Sequence, residues 1–377
     1  MTPLAKLRTL AVLACVGLAS IAPAAADLKS GTAAMESGDY ETAMRKLKPL
    51  AAQGNAQAQA AVGSMYYFGH GVPRDVAEAL KWLRPAARAG LSWAQYHLAH
   101  MYYRGAEVPR DIDEAVKWLR LAAPQGHAEA QAVLGVMHYT GKHIERDDAA
   151  ALKWLRPAAE QDHGFAQLHL GHMYRDGRGV PRDEAAAADW YRRAAEQGGA
   201  TAQYELGRLY RDGRGVEQDT AEAARWYGQA AAQGNADAQY SLGTMRYYGD
   251  GIRQDTAAAM RLYLAAADQG LPDAQYAVGH MYDRGDGAPR DEAAAVQWHR
   301  RAAAQGFSLA QHRLGLAYAR GAGVPEDLVE AYKWFELAAA GGHPEAAEAR
   351  AITAEYMTPD DIDEARRRAA AWTPRPE

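Results

Sequence analysis

Two His-x-x-His pairs, His97/His100 and His169/His172, are the most chemically suggestive residues in this 377-residue sequence. At i and i+3 on a helix the two rings of a pair share a face, so each pair offers two imidazoles to a metal ion or a proton. A zinc-type site needs three or four converging ligands. The pairs stand 72 positions apart, and packed helices are spaced about 8–10 Å. They are therefore expected not to share an ion, and neither a metal nor another cofactor is expected. Asp75, Asp111, Asp147, Asp183, Asp219, Asp255, Asp291 and Asp327 form a second set. Each could act as an acid, but each precedes an apolar helical periodicity, where an N-cap carboxylate accepts orphan backbone N–H groups. No H-E-x-x-H, G-x-S-x-G or P-loop occurs, and no Ser begins S-x-x-K. With no visible nucleophile–base pair, the chain is expected not to be an enzyme.

The Asp spacing belongs to a general period of 36 residues. Trp82, Trp118, Trp154, Trp190, Trp226, Trp298 and Trp334 share it, with Leu262 at the missing term. Gln59, Gln95, Gln131, Gln167, Gln203, Gln239, Gln275 and Gln311 make a third series. Residues 55–342 thus form eight repeats of 36 without insertion or deletion. In the first, a helix A is expected over Ala56–Phe68, then a turn from Gly69 to Arg74 and Asp75 as N-cap. Helix B should carry Ala79, Trp82, Leu83 and Ala86 inward, and Gly90 should end it in the left-handed conformation. Gly occupies the place of Gly63 in seven of eight repeats, Ala99 being the exception. Since Gly inside a helix costs about 1 kcal/mol against Ala, its missing side chain should admit another helix. The Ala-Ala pairs of helix B, such as Ala86 and Ala87, are the expected partners. Trp would fill the wider part of the seam, with its N–H on a polar group.

This pattern resembles the Sel-like repeat (SLR) family, a relative of tetratricopeptide repeats. Ala236, Ala238, Gln239, Tyr240, Leu242 and Gly243, running on to Gly270, match the family motif. The resemblance spans residues 28 to about 356. It implies an all-α fold, an α-solenoid with a right-handed superhelix of eight helix-turn-helix repeats, whose helix A lines a concave wall. His138 and Arg246 replace the helix A Tyr, Asp162 the terminal Gly and Leu262 the Trp. These departures suggest local looseness or partner contact.

Atypical ends are expected of a repeat array. Residues 27–54 read as N-terminal capping helices, with Asp39 as an N-cap, Ala43 inward and Lys46 at the Trp position. Residues 343–377 read as the C-terminal cap and a short tail. There Thr358 caps a helix opened by Pro359, with Ile362, Ala365, Ala369 and Trp372 on its apolar face. Residues 1–26 read as a secretory signal peptide: Lys6 and Arg8, an apolar run from Thr9 to Ala22, then Ala24, Ala25 and Ala26 before the cut. A lipoprotein anchored through Cys15 is the lesser alternative. Cys15 is the only cysteine, so the exported chain is held by packing without disulfides. A periplasmic or secreted protein follows, with no stable membrane insertion after cleavage.

On a helical projection, positions equivalent to 57, 61, 64 and 68 face away from the packed side. They hold Trp93, His97, His100 and Arg104 in the second repeat, and Phe165, His169, His172 and Asp176 in the fourth. Arg208, His280, Arg284, Arg313 and Arg320 follow, flanked by Tyr96, Tyr204, Tyr240 and Tyr276. Trp93 is expected to be exposed beside the histidines. Tyr, Trp and Arg carry interface hot spots, so this stripe is the candidate groove for a protein or peptide partner. A net charge of −5 argues against a general nucleic-acid binder. The function expected is a monomeric, non-enzymatic scaffold of the bacterial cell envelope. The alternatives are a cell-wall-active enzyme or modulator of one, or a secreted effector binding a host protein.

Overall fold

The computed structural model describes residues 25–105 and 108–375. The segment read as a leader falls almost wholly on residues 1–24, outside the described residues. Helices make up all the regular structure, with no strand among the described residues. The chain divides between Arg182 and Asp183 into two compact units. The first holds α1 (25–36), α2 (Tyr40–Ala52), α3 (Ala56–Phe68), α4 (Val76–Arg88), α5 (Ser92–Arg104), α6 (Ile112–Ala122), α7 (Ala128–Thr140), α8 (Asp148–Glu160) and α9 (Gly164–Asp176). The second holds α10 (Glu184–Glu196), α11 (Ala200–Asp212), α12 (Thr220–Ala232), α13 (Ala236–Tyr248), α14 (Thr256–Ala267) and α15 (Pro272–Arg284). It continues with α16 (Glu292–Ala304), α17 (Ser308–Arg320), α18 (Leu328–Ala340), α19 (Ala346–Ala354) and α20 (Pro359–Ala370). From α3 to α18, odd helices are helix A and even ones helix B. Within each unit successive helices pack on their chain neighbours, which is the arrangement of an α-solenoid.

Every Asp of the period caps a helix B. Asp75 accepts from the Glu78 backbone N–H at 2.9 Å, Asp147 from Ala150 at 2.9 Å and Asp327 from Glu330 at 2.9 Å, and the other five do the same. The turn between the helices needs left-handed backbone. Gly179, at φ 68°, is one such position, and a Cβ there would stand 2.7 Å from the Asp148 carbonyl oxygen. Asp162 takes the same conformation without being Gly, at φ 60°, so its departure leaves the helix ending intact.

The helix A glycines admit a partner other than the Ala-Ala pair. A Cβ on Gly63 would lie 2.7 Å from Leu83 Cγ; on Gly135, 2.7 Å from Leu155; on Gly207, 2.8 Å from the Tyr227 ring; on Gly315, 2.7 Å from Phe335. The missing side chain makes room for the residue immediately after the Trp position. The Ala-Ala pair faces the next repeat. Gln95 Nε2 donates to the Ala87 carbonyl at 3.0 Å and Gln131 to Ala123 at 3.0 Å. A second Gln joins each: Gln125 donates to Gln95 Oε1 at 2.8 Å and Gln161 to Gln131 at 3.0 Å. These buried amides are satisfied, as buried polar groups must be, and they tie each helix A to the helix B before it.

The Trp rings lie further out than the sequence suggests. Only Trp226 and Trp334 are buried; the others are half-buried. A cation covers most of them, as Lys153 does Trp154 at 4.8 Å and Arg225 does Trp226 at 4.1 Å. Trp82 and Trp334 donate their N–H to a Glu one turn earlier, Glu78 and Glu330, at 3.1 Å. At the C-terminal end Thr358 and Asp361 form a reciprocal capping box, and Trp372 meets Trp334 edge-on at 6.3 Å.

Candidate functional site

The helix A stripe is less open than its projection suggests. In α3 its members Ala61 and Ser64 are buried. In α5 Trp93 is half-buried, packs on the core beneath α4 and lies 4.0 Å from the His97 ring. Trp93 is therefore not the exposed aromatic expected from the sequence. His97 is enclosed further by Tyr67, Phe68 and Tyr96. Burial, reinforced by His100 and His127, lowers its pKa to about 4. His169 sits between Phe165 at 4.5 Å and Tyr139 at 5.4 Å, and burial brings it to about 4 as well. Both keep Nδ1 buried without a hydrogen-bond partner. These imidazoles are neutral packing groups at neutral pH. Among the described residues no three His, Cys, Asp or Glu side chains gather as metal ligands.

The first unit opens a cavity of about 480 Å³ on this face. Val133, Val136, Met137 and Thr140 of α7 line it from one side, and Tyr96, Ala99, His100, Tyr103 and Arg104 of α5 from another. Leu119 of α6 and Phe165 of α9 complete the apolar lining, with Lys142 and His143 of the turn after α7. Its origin is a contrast in side-chain length. Where α5 carries His97, His100 and Arg104 and α9 carries His169, His172 and Asp176, α7 carries Val133, Val136 and Thr140. Short side chains between long ones leave a hollow. Arg104 Nε–H donates to His100 Nε2 at 3.4 Å, so His100 holds its proton on Nδ1 and donates it to the Tyr67 hydroxyl at 3.1 Å. Burial, then Arg104, keeps the His100 pKa below its ordinary value.

Of the sequence candidates, Tyr96, His100, Arg104 and Phe165 meet in this cavity; Trp93, His97, His169 and His172 do not line it. Val133, Val136, Tyr103, Lys142 and His143 were missed. The signal that could have found them is the break in the stripe at the third repeat. In the second unit His280 joins Tyr240, Tyr247, Tyr248 and Tyr276 in a cavity of about 270 Å³. Burial, then Arg313 and Arg284, lowers its pKa. Arg284 and Arg313 line a separate cavity of about 280 Å³ with Arg290, Arg320, Asp283 and Glu292. Its acids are engaged, Asp283 with His299 Nε2 at 3.0 Å and Glu292 with Arg290. Arg208 lines none of these; it pairs with Glu205 at 3.3 Å and lies over the Tyr204 ring.

No described helix is long and apolar enough to cross a membrane. No curated protein matches the chain. Among solved structures it is similar to a Sel1 repeat protein from Oxalobacter formigenes, at 38% identity over 81% of this chain and 88% of that one, TM-score 0.60. It is also similar to a protective antigen of uropathogenic Escherichia coli strains displaying an SLR fold, at 31% identity over 92% of this chain and 91% of that one, TM-score 0.53. Sel1-repeat proteins are generally non-catalytic scaffolds for protein interactions. The Sel1 repeat family matches residues 56–91, 94–127, 128–163, 164–199, 200–235, 236–271, 272–307 and 308–343, and with one helix pair in register with each match the chain belongs to that family.

Proposed function

We propose that this protein is a non-enzymatic interaction scaffold of the bacterial cell envelope that holds a protein or peptide partner on its helix A face. The observation that carries this reading is the apolar cavity between α5, α7 and α9, on the face the family likeness assigns to partners. Its volume falls in the range of about 300–1,000 Å³ typical of sites that enclose a ligand. Aromatic and Arg side chains border it, the types that anchor interfaces. The chemistry otherwise available is already engaged. The periodic carboxylates cap helices, and the two most buried stripe histidines are packing groups at neutral pH. The leader-like start of the sequence, together with likeness to a bacterial protective antigen, supports export.

The test is affinity capture from the envelope fraction with the chain lacking residues 1–26. Val136→Lys and Phe165→Ala are expected to lower recovery of the main partner about tenfold or more, the effect of about 1.4 kcal/mol. Recovery unchanged by both substitutions, with the helical spectrum intact, would overturn the assignment of the face.

A further inference from the structure

We infer that the cavity of the first unit takes a large apolar side chain from a peptide segment whose flanking residues are acidic. This rests on reading the helix A face as the partner surface and adds the chemistry of what binds there. The lining between α5 and α7 is apolar: Ala99, Leu119, Val133, Val136 and Met137. These groups outweigh the hydroxyl and imidazole atoms of Tyr96, His100, Tyr103 and Thr140 that also line it, and an apolar side chain is what they cover without leaving a buried polar atom unpaired.

The charge at the mouth has one sign. Among the described residues Arg104 and Lys142 line the cavity and no carboxylate does, in a chain whose net charge is −5. Lys142 has no acid for a reason visible in the repeat. The equivalent turn residue in the next two repeats, Arg178 and Arg214, reaches back 30 positions to the first residue of a helix B. There Arg178 meets Asp148 and Arg214 meets Glu184, at 2.5 and 2.6 Å. Thirty positions before Lys142 stands Ile112. The place of Arg104 is held two and three repeats on by Asp176 and Asp212, paired with Arg175 and Arg211, so Arg104 puts a cation where those repeats put an acid. It contacts the neutral His100. Among the described residues neither Arg104 nor Lys142 makes an ion pair, and both are exposed. Two cations on either side of an apolar hollow complement a segment that reads acidic, large apolar, acidic; a guanidinium also grips a carboxylate through paired hydrogen bonds.

The test selects a phage-displayed random heptapeptide library on the full chain, then measures synthetic hits by fluorescence polarisation. The expected hits carry Asp or Glu beside Leu, Phe, Trp or Met. Replacing those acids with Asn or Gln should weaken binding at least tenfold. Arg104→Glu with Lys142→Glu should weaken the acidic peptide by the same factor and favour its Lys counterpart. Hits indifferent to both changes, yet lost on Val136→Lys, would overturn the acidic preference and leave the face as a binding site. Hits bound equally by the protein and by Val136→Lys, or no hits, would overturn both. The double charge reversal alters two exposed side chains, so it keeps the test decisive if Val136→Lys does not fold.

Discussion

Gly207 and Gly228 show one residue type in opposite roles. A Cβ on Gly207 would stand 2.8 Å from the ring of Tyr227, whereas one on Gly228 would meet nothing within 4 Å. Overpacking costs about 1–3 kcal/mol, and Gly→Ala in a helix gains about 1 kcal/mol. Gly207→Ala should therefore destabilise the protein by up to about 2 kcal/mol, and Gly228→Ala should stabilise it by about 0.5–1 kcal/mol. Urea titration checks both, and a gain for Gly207→Ala would contradict the close seam. The histidines give a second prediction. His97, His169 and His312 have folded pKa values of about 4, below their ordinary 6.5. As pH falls below 6.5 the unfolded chain binds protons first. Their contribution is thus full above pH 6.5 and lost progressively as pH falls to about 4. The half-buried rings of His97 and His169 should each account for about 1–2 kcal/mol of that loss. His97→Gln and His169→Gln should flatten the fall in urea midpoint between pH 6.5 and 4.5; an unchanged slope would show that these rings are hydrated.

At the scale of the element, the amide ties between repeats carry weight that the helices alone do not. Gln131→Leu removes the amide that donates to the Ala123 carbonyl and accepts from Gln161, leaving that carbonyl the Gly126 N–H and Gln161 the Pro157 carbonyl, so it should cost about 0.5–1.5 kcal/mol. Asp147→Ala, which removes a cap, should cost about 0.5–2 kcal/mol. Thermal melts of the two variants test these values, and a neutral Gln131→Leu would mean the amide is solvated. The caps were legible in the sequence because N-cap chemistry is local: an Asp, the residues just after it and an apolar period settle it. The partner of the helix A glycine was not, because it depends on which side chain of helix B lands opposite, a matter of rotation about two axes. The residue after Trp won that place, and it grows from Leu83 and Leu155 to Tyr227, Tyr263 and Phe335 along the chain. The candidate site was legible in part. Tyr96, His100, Arg104 and Phe165 announce themselves by type, but the hollow they border is made by Val133 and Val136, whose significance is being short.

For the molecule as a whole, packing between chain neighbours makes stability a sum of repeat and interface terms within each unit. A local defect should stay local. Hydrogen exchange of Gly207→Ala should show lost protection in α11, α12 and the helices touching them, α10 and α13, with α16 to α18 unchanged; loss throughout the second unit would show one cooperative block. A scaffold works at the same scale, offering a surface in place of a reacting centre. The most direct measurement is hydrogen exchange of the protein with and without its captured partner. Partner-induced protection concentrated in α5, α7 and α9, around Tyr103, Val136 and Phe165, is the result predicted. Protection on α4, α6 and α8 with none on α5, α7 and α9 would contradict it.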